Sequence, residues 1–484
     1  MTRRFRGFIF VATGFLTIAI GISGVARAEK KALFESINRR DAAVWKVAHD
    51  IWTFAEPGYQ ESKSSAALSE MLKAAGFTIK SEIGGIPTAF TATVGQGKPV
   101  IGILGEFDAL PGLSQQAVPY RDPVKEGGYG HGCGHHLFGA ASVSAAIAIA
   151  EQVKAGTING TVCFYGCPAE EGGSGKVFMA QAGAFKDCDA VLHWHPSHEN
   201  SAGDRSTLAR MAVKFRFHGK AAHAAAAPEQ GRSALDAIAL TNYAAELMRE
   251  HTPDQSRIHH VITAGGRAPN IVPDFAEVYY YIRHPDGDVV RQLYERLVLC
   301  AKAGALATET RLEIRFEGGI REILPNNALS QVTLQNLNEI CDLEYDSAET
   351  EFALKLQATL NSPAPLDSIH KIEDRSGTIG KGSTDVGDVS WLVPTTGFTA
   401  ACWVPGTPAH SWQAVAAGGS SIGRKGLNLA ARVLAASAWD FFTQPSLLRE
   451  GKREHDRRVG ERAYQSLMVK GQKPSLDYRN PPVR

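Results

Sequence analysis

Five short stretches of the sequence carry side chains that bind cations or move protons. They are Gly105-Glu106-Phe107-Asp108, His131-Gly132-Cys133-Gly134-His135, Ala169-Glu170-Glu171-Gly172, His193-Trp194-His195 and Pro408-Ala409-His410-Ser411. Thiolate, imidazole and carboxylate are the usual donor set of zinc-like ions. Cys133 and His135 stand two residues apart in a glycine-rich loop, where the backbone can turn both side chains toward one ion. An apolar helix expected after them would set its positive end near the thiol and favour the thiolate. Glu170 and Glu171 are adjacent carboxylates with no basic neighbour. A cation relieves their repulsion, and one carboxylate then ligates while the other takes a proton. His193 and His195 share a face if they lie on a strand, with His198 a weaker contender. His410 sits in a turn-rich loop that suits a ligand. Taken singly, each stretch has a bland alternative: a buried thiol, an exposed acidic turn, a hydrogen-bonded histidine.

The surrounding elements favour a joint reading. Short apolar runs at 100–104, 161–165, 190–192 and 398–404 precede Asp108, the Glu170–Glu171 pair, His195 and His410. In an open α/β sheet, ligands gather beyond the carboxyl ends of the strands, on loops that the strands hold in place. Residues 32–49 and 62–75 read as helices, with Gly76 as a stop signal. Residues 137–154, rich in Ala, Ile and Val, read as a buried helix. Near Ser206 the pattern changes to strand 210–217, helix 233–250, strands 257–263 and 275–283, helix 289–302 and strand 311–316. That is the split βαβ order of a ferredoxin-like domain, inserted in a larger one because His410 follows it. The expected fold is therefore α/β. A mixed, mostly parallel sheet is divided between residues 29–206 and 319–446, with a βαββαβ unit at 207–318 between them. The charged stretch 447–484, with Asn-Pro-Pro near its end, reads as a surface helix plus a loose tail.

The whole chain sets outer bounds. At 484 residues it is too long for one ordinary core. Its 44% hydrophobic and 21% charged residues fit a soluble globular protein. A net charge of +1 and no basic stripe interleaved with aromatics argue against nucleic acid. Arg3, Arg4 and Arg6, an uncharged apolar run at 7–24 and Ala26-Arg27-Ala28 form the pattern of a signal peptide, residues 1–28, cleaved before Glu29. The mature protein is then periplasmic or secreted. An uncleaved membrane anchor is the alternative. Seven cysteines are an odd number, so an exported chain leaves at least one unpaired or ligating. Cys133 is the candidate, and no disulfide is assigned.

Further segments complete a pattern: Gly-Glu-Phe-Asp-Ala-Leu-Pro-Gly (105–112), Gly-His-Gly-Cys-Gly-His (130–135), Gly-Cys-Pro-Ala-Glu-Glu-Gly-Gly-Ser-Gly-Lys (166–176), Trp-His-Pro (194–196), Ala-Ala-His-Ala (221–224), Gly-Arg-Ser-Ala-Leu-Asp-Ala (231–237), Ala-Pro-Asn-Ile-Val-Pro (268–273) and Ser-Thr-Asp-Val-Gly-Asp-Val-Ser-Trp (383–391). In this order they resemble the amidohydrolase and metallopeptidase family that includes aminoacylases, glutamate carboxypeptidases and the hydrolases of indole-acetyl amino acids. The resemblance implies two divalent ions, zinc or manganese, with cobalt a further candidate. The thiolate favours zinc or cobalt by softness.

It implies that Cys133 bridges the ions, that Glu171 and His410 complete one site, and that His135 and His195 complete the other. Glu170 would be the general base and Asp108 the carboxylate orienting an imidazole. Glu106 stands where relatives have Asp or His and is left out of the ligand set. The inserted unit would be a lid and dimerisation domain, whose His223 reaches a neighbouring site and polarises the scissile carbonyl. Asn270 and Arg283 match positions on the substrate-carboxylate side. The implied partner is a small N-acyl or N-aroyl amino acid of the aminobenzoyl-glutamate kind. The implied assembly is a homodimer through the inserted domain, or a hetero-oligomer with a related subunit. Three alternatives stand beside this reading: a dipeptidase or aminoacylase of other specificity, a catalytically dead relative, and an exported solute-binding protein, which would need no spare Glu170.

Overall fold

The structure is a computed structural model that describes residues 16–479, with side-chain surroundings given from Lys30 onward. Arg3, Arg4 and Arg6 of the expected signal peptide, and the Asn-Pro-Pro near the end, lie outside the described residues. The expected cleavage point falls within the first helix, α1 (Leu16–Phe54), which also runs past the 32–49 read from sequence. Next come α2 (Ser62–Ala74), then β1 (Thr78–Ser81), β2 (Phe90–Gln96) and β3 (Val100–Glu106). Gly76 follows α2 at φ 81, the left-handed stop that glycine adopts freely. The Ala-rich run becomes α3 (His135–Lys154), followed by β4 (Gly160–Cys167), α4 (Gly175–Gln181), β5 (Ala190–Ser197) and β6 (Asn200–Ala202). The inserted unit is β7 (Ala209–His218), α5 (Ala234–Arg249), β8 (Arg257–Ala264), β9 (Phe275–His284), α6 (Gly287–Ala307) and β10 (Arg311–Ile320). The chain then returns through α7 (Asn327–Ile340), α8 (Ser347–Gln357), β11 (Ile372–Asp374), α9 (Val386–Ser390), β12 (Thr395–Ala401), α10 (Trp412–Gly418), α11 (Ser421–Thr443) and α12 (Pro445–Val459).

Eight strands form the larger sheet in the order β1-β2-β4-β3-β5-β12-β6-β11. Its centre, β4-β3-β5-β12, is parallel throughout, and antiparallel pairs occur toward both ends. Parallel strands covered on both faces need apolar residues at nearly every position. β4 is buried along its whole length and β3 at all but its first residue, with only Thr161 and the terminal Glu106 departing from small, apolar or aromatic side chains. α3 is the one helix among the described residues long and apolar enough to cross a membrane, but it is buried in the core. The smaller sheet is antiparallel, β10-β7-β9-β8, which with α5 and α6 is the ferredoxin-like arrangement expected. It has its own apolar core, built on Val213, Phe215, Val278 and Leu297.

The reading of the C-terminal stretch as a loose tail is corrected. α12 buries Glu454 and His455 against the body. Beyond it Leu467 is fully buried in the inserted domain's core, and Met468 joins the core of the larger domain. A stretch this polar gave no apolar periodicity to announce that packing. α12 packs one face, Leu447, Leu448, Gly451, Glu454 and His455, whereas the contacts beyond it hang on single residues.

Candidate dinuclear metal site

The loop from Cys133 to His135 turns at Gly134, where φ is 75 and an added Cβ would lie 2.7 Å from Pro196 Cβ. Only glycine fits there. His135 then opens α3. Asp108, just past β3, puts Oδ1 2.8 Å from His135 Nδ1, and its Oδ2 accepts the Glu171 N–H at 2.9 Å. One carboxylate thus orients an imidazole and fixes the loop that carries the paired glutamates. That loop leaves β4 through Ala169, at φ 56, a left-handed conformation that costs a non-glycine residue about 1–2 kcal/mol. Buried Glu61 holds it there by accepting the Ala169 N–H at 2.8 Å. His195, near the end of β5, lies 2.8 Å by Nδ1 from the Pro196 carbonyl, to which that nitrogen donates. Its Nε2 is left with a free lone pair, 3.5 Å from Cys133 Sγ. His410, also left-handed at φ 57, precedes Ser411, whose hydroxyl caps α10 by accepting the Ala414 N–H.

Two sets of donor atoms result, each with its members within 4.8 Å of one another: Cys133, His135 and His195, and Cys133, Glu171 and His410. The thiol belongs to both. The chemistry of the set suits divalent cations, and the unmet bonding agrees. Glu171 Oε1 and His135 Nε2 are buried and make no well-aligned hydrogen bond, meeting only His410 Nε2 at 3.2 Å and Glu106 Oε2 at 3.0 Å, a rare condition in a folded interior.

A third set joins Glu106, His135 and Glu170, so Glu106, left out of the ligand set, does sit at the site. Its Oε2 approaches His135 Nε2 at 3.0 Å. Its Oε1 lies 2.6 Å from Lys176 Nζ, and Lys176 Nζ is 2.7 Å from Asp385 Oδ1. All three of these side chains are buried. Glu106 is thereby a carboxylate balanced by a lysine, which sets it apart from Glu170, for which no ion pair forms among the described residues. Lys176 and Asp385 lie in segments that carry the family resemblance, yet received no role. The available signal was charge inside small and apolar neighbours: Lys176 alone at 173–178, and Asp385 with Asp388 at 383–389.

The electrostatics separate the paired glutamates. Burial, then the charges of Glu106 and Glu171, push Glu170 well above the usual carboxylate range. Burial acts the same way on Glu171, but the His410 bond and the charge of His135 outweigh it and bring Glu171 down. Asp108, also buried, is carried down to about 2 by His135. Without a cation, burial and the charge of Glu171 push the Cys133 thiol well above its ordinary range, against the opposing charge of His135.

The inserted domain divides its candidates. Arg283 lines the same cleft as Cys133, Glu170, Glu171, His195 and His410, a cleft of about 750 Å³, and donates to Ser383 Oγ at 2.9 Å. His223 and Asn270 are exposed and are not among the residues that line it. His223 Nδ1 accepts the Ala225 and Ala226 N–H groups at 3.2 Å each, which selects the tautomer with a proton on Nε2, ready to donate. His193 lines the cleft too and burial lowers it to about 3, but neither it nor His198 joins a donor set among the described residues.

Two cation positions sharing one thiol, with an unpaired carboxyl beside them and an inserted second domain above, define a metal-dependent hydrolase. Residues 206–309 match the peptidase dimerisation domain of the M20 proteins. A p-aminobenzoyl-glutamate hydrolase subunit of Escherichia coli is 41% identical over 457 residues, 89% of this chain and 95% of that one. The Xaa-Arg dipeptidase of Mus musculus is 31% identical, covering 90% of this chain and 94% of that one. A dinuclear-metal-binding M20 peptidase from Bacillus subtilis shares the fold with a TM-score of 0.57 at 15% identity, over 84% of this chain and 99% of that one. The chain belongs to the M20 family of metal-dependent peptidases and amidohydrolases.

Proposed function

We propose that the protein is an exported amidohydrolase that cleaves the amide bond of an anionic N-acyl or N-aroyl amino acid, of the aminobenzoyl-glutamate kind. The observation that carries the substrate class is the charge of the cleft. Arg205, Arg210, Arg283 and Arg479 line it, and none of them makes an ion pair with a carboxylate among the described residues. Glu317, on the wall of the inserted domain, is already paired with Lys214 and Arg315. Four uncompensated arginines repel a cationic leaving group and attract carboxylates. This favours the glutamate-releasing reading over that of a relative named for Xaa-Arg dipeptides.

Two divalent cations, zinc or manganese with cobalt a further candidate, would be held between His135, His195, Glu171 and His410 around Cys133, and would supply Lewis-acid activation of water and of the amide carbonyl. Glu170 takes the proton from the attacking water and delivers it to the leaving amine. Its raised affinity for protons and the lowered one of Glu171 suit one to transfer and the other to ligation. Asp108 keeps the His135 ring in place. His223 of the partner subunit donates from Nε2 to the developing oxyanion, in a homodimer through the inserted domain or in a hetero-oligomer with a related subunit. The deciding experiment is hydrolysis of a panel of N-acyl and N-aroyl amino acids by protein reconstituted with zinc, manganese or cobalt. Fastest release of glutamate or aspartate is expected. Preference for basic amino acids would reject the substrate class, and no hydrolysis with any metal would reject the enzyme.

A further inference from the structure

The stretch after α12 is bound to both domains before its last described residues, Tyr478 and Arg479, reach the cleft. Tyr464 donates to Asp388 Oδ1 at 2.7 Å. The carbonyl of Gln465 accepts from Arg321 at 3.2 Å, and that of Ser466 accepts from Arg291 of α6 at 3.1 Å. Leu467 fills the core of the inserted domain. Gln472 donates to the Phe316 carbonyl of β10 at 3.4 Å. Tyr478 meets Tyr59 edge-on, 5.6 Å between ring centroids, and its hydroxyl donates to the Glu171 carbonyl at 3.3 Å. Arg479 donates to that same carbonyl and lies over the Tyr478 ring. Tyr478 and Arg479 line the cleft together with Cys133 and Glu170.

Arg479 is incompletely used by these contacts. One terminal nitrogen is spent on the Glu171 carbonyl, while its Nε is buried with no hydrogen-bond partner. Among the described residues it makes no ion pair. A guanidinium fixed at one corner and stacked on a ring has lost most of its rotamer freedom already. Its remaining donors keep the planar geometry that matches a carboxylate. Across the cleft, Arg210 and Arg283 both lie against the ring of Tyr281, at 4.8 and 5.4 Å from its centroid.

We propose that Arg479, delivered to the cleft by the C-terminal segment, is a specificity-determining residue that binds a carboxylate of the acyl-amino-acid substrate. The proposal rests on the amidohydrolase reading and adds to it a residue from a part of the chain with no sequence signature of function.

The test measures binding of N-benzoyl-glutamate, and of its α-amide and its γ-amide (N-benzoyl-glutamine), to metal-loaded protein made inert by Glu170→Gln. Adding Arg479→Met should weaken N-benzoyl-glutamate by roughly 10- to 100-fold, the usual effect of losing a charge-assisted hydrogen bond. The monoamide that lacks the contacted carboxylate should bind the single and double variants alike. Arg479→Lys should recover part of the loss. A chain ending at Tyr478 should reproduce Arg479→Met with the rest of the segment in place. Equal weakening of all three ligands, or of none, overturns the assignment of Arg479. In that case hydrolysis of N-benzoyl-glutamate by the wild type leaves the amidohydrolase reading standing. If the wild type hydrolyses no acyl amino acid, both fall.

Discussion

Glu170 and Glu171 are neighbours in sequence whose side chains are turned to different tasks by what surrounds them. Glu171 is tied to His410 Nε2 at 3.2 Å and shares a donor set with Cys133, whereas Glu170 stands against Glu106 and makes no ion pair among the described residues. Glu170→Gln keeps the shape and removes the basicity. Turnover should fall by roughly 10²–10⁴-fold, the usual share of general-base catalysis, with metal content by elemental analysis unchanged. Glu171→Gln should lower metal content instead, and the reverse pattern would reject the division of roles. Lys176 offers a third measurement. It sits between two buried carboxylates, so Lys176→Met leaves both uncompensated, and unfolding in urea should show a loss of about 3–5 kcal/mol. An unchanged midpoint would mean that Glu106 and Asp385 are neutral in the folded protein.

At the scale of elements, the site is an edge where β3, β4, β5 and β12 end together, and this much was legible in the sequence. Fully apolar runs followed by polar, glycine-rich turns announce buried strands and the loops beyond them, and period-two and helical patterns announce the inserted βαββαβ unit. What was not legible depends on pairings without local pattern. Lys176 and Asp385 are 209 residues apart, and neither predicts the other. The strained Ala169 needs Glu61, more than a hundred residues earlier. The C-terminal segment makes its contacts one residue at a time.

One of those contacts is pH-sensitive. Burial raises Asp388 of α9 from 3.8 to about 7, while it accepts from Tyr464 and from the Arg321 N–H. The folded chain therefore holds a proton that the unfolded chain has released. The stability from this group is fully present below pH 3.8 and is lost as the pH rises to and through about 7, at no more than about 1.4 kcal/mol per pH unit. Urea titrations from pH 5 to pH 8 should show this decline, and Asp388→Asn should flatten it. An equal decline in the variant would assign the effect elsewhere.

For the whole molecule, His223 poses the question of assembly. It is exposed on the inserted domain and is not among the residues lining its own chain's cleft, while the peptidase dimerisation match covers it. Mixing inactive His223→Ala chains with inactive Glu170→Gln chains distinguishes two arrangements. If His223 acts across the interface, the His223→Ala chain keeps its own Glu170 and borrows an intact histidine, so activity returns. If His223 serves its own site, every site lacks one group and activity stays absent even when exchange is confirmed. Export is checked separately by N-terminal sequencing of the mature protein. Glu29 is expected first, and a soluble cytoplasmic form that retains Met1 would reject it.

The route of the C-terminal segment also orders events in time. Synthesis proceeds from the N-terminus, so every candidate metal donor is made before Tyr478 and Arg479, and the cleft stays without this wall until those residues have been made. The same holds for a polypeptide threaded N-terminus first through a membrane pore, whose final residues arrive after the body has begun to fold. This wall is thus the last part of the cleft to be added, and a substrate held by Arg479 must wait for it.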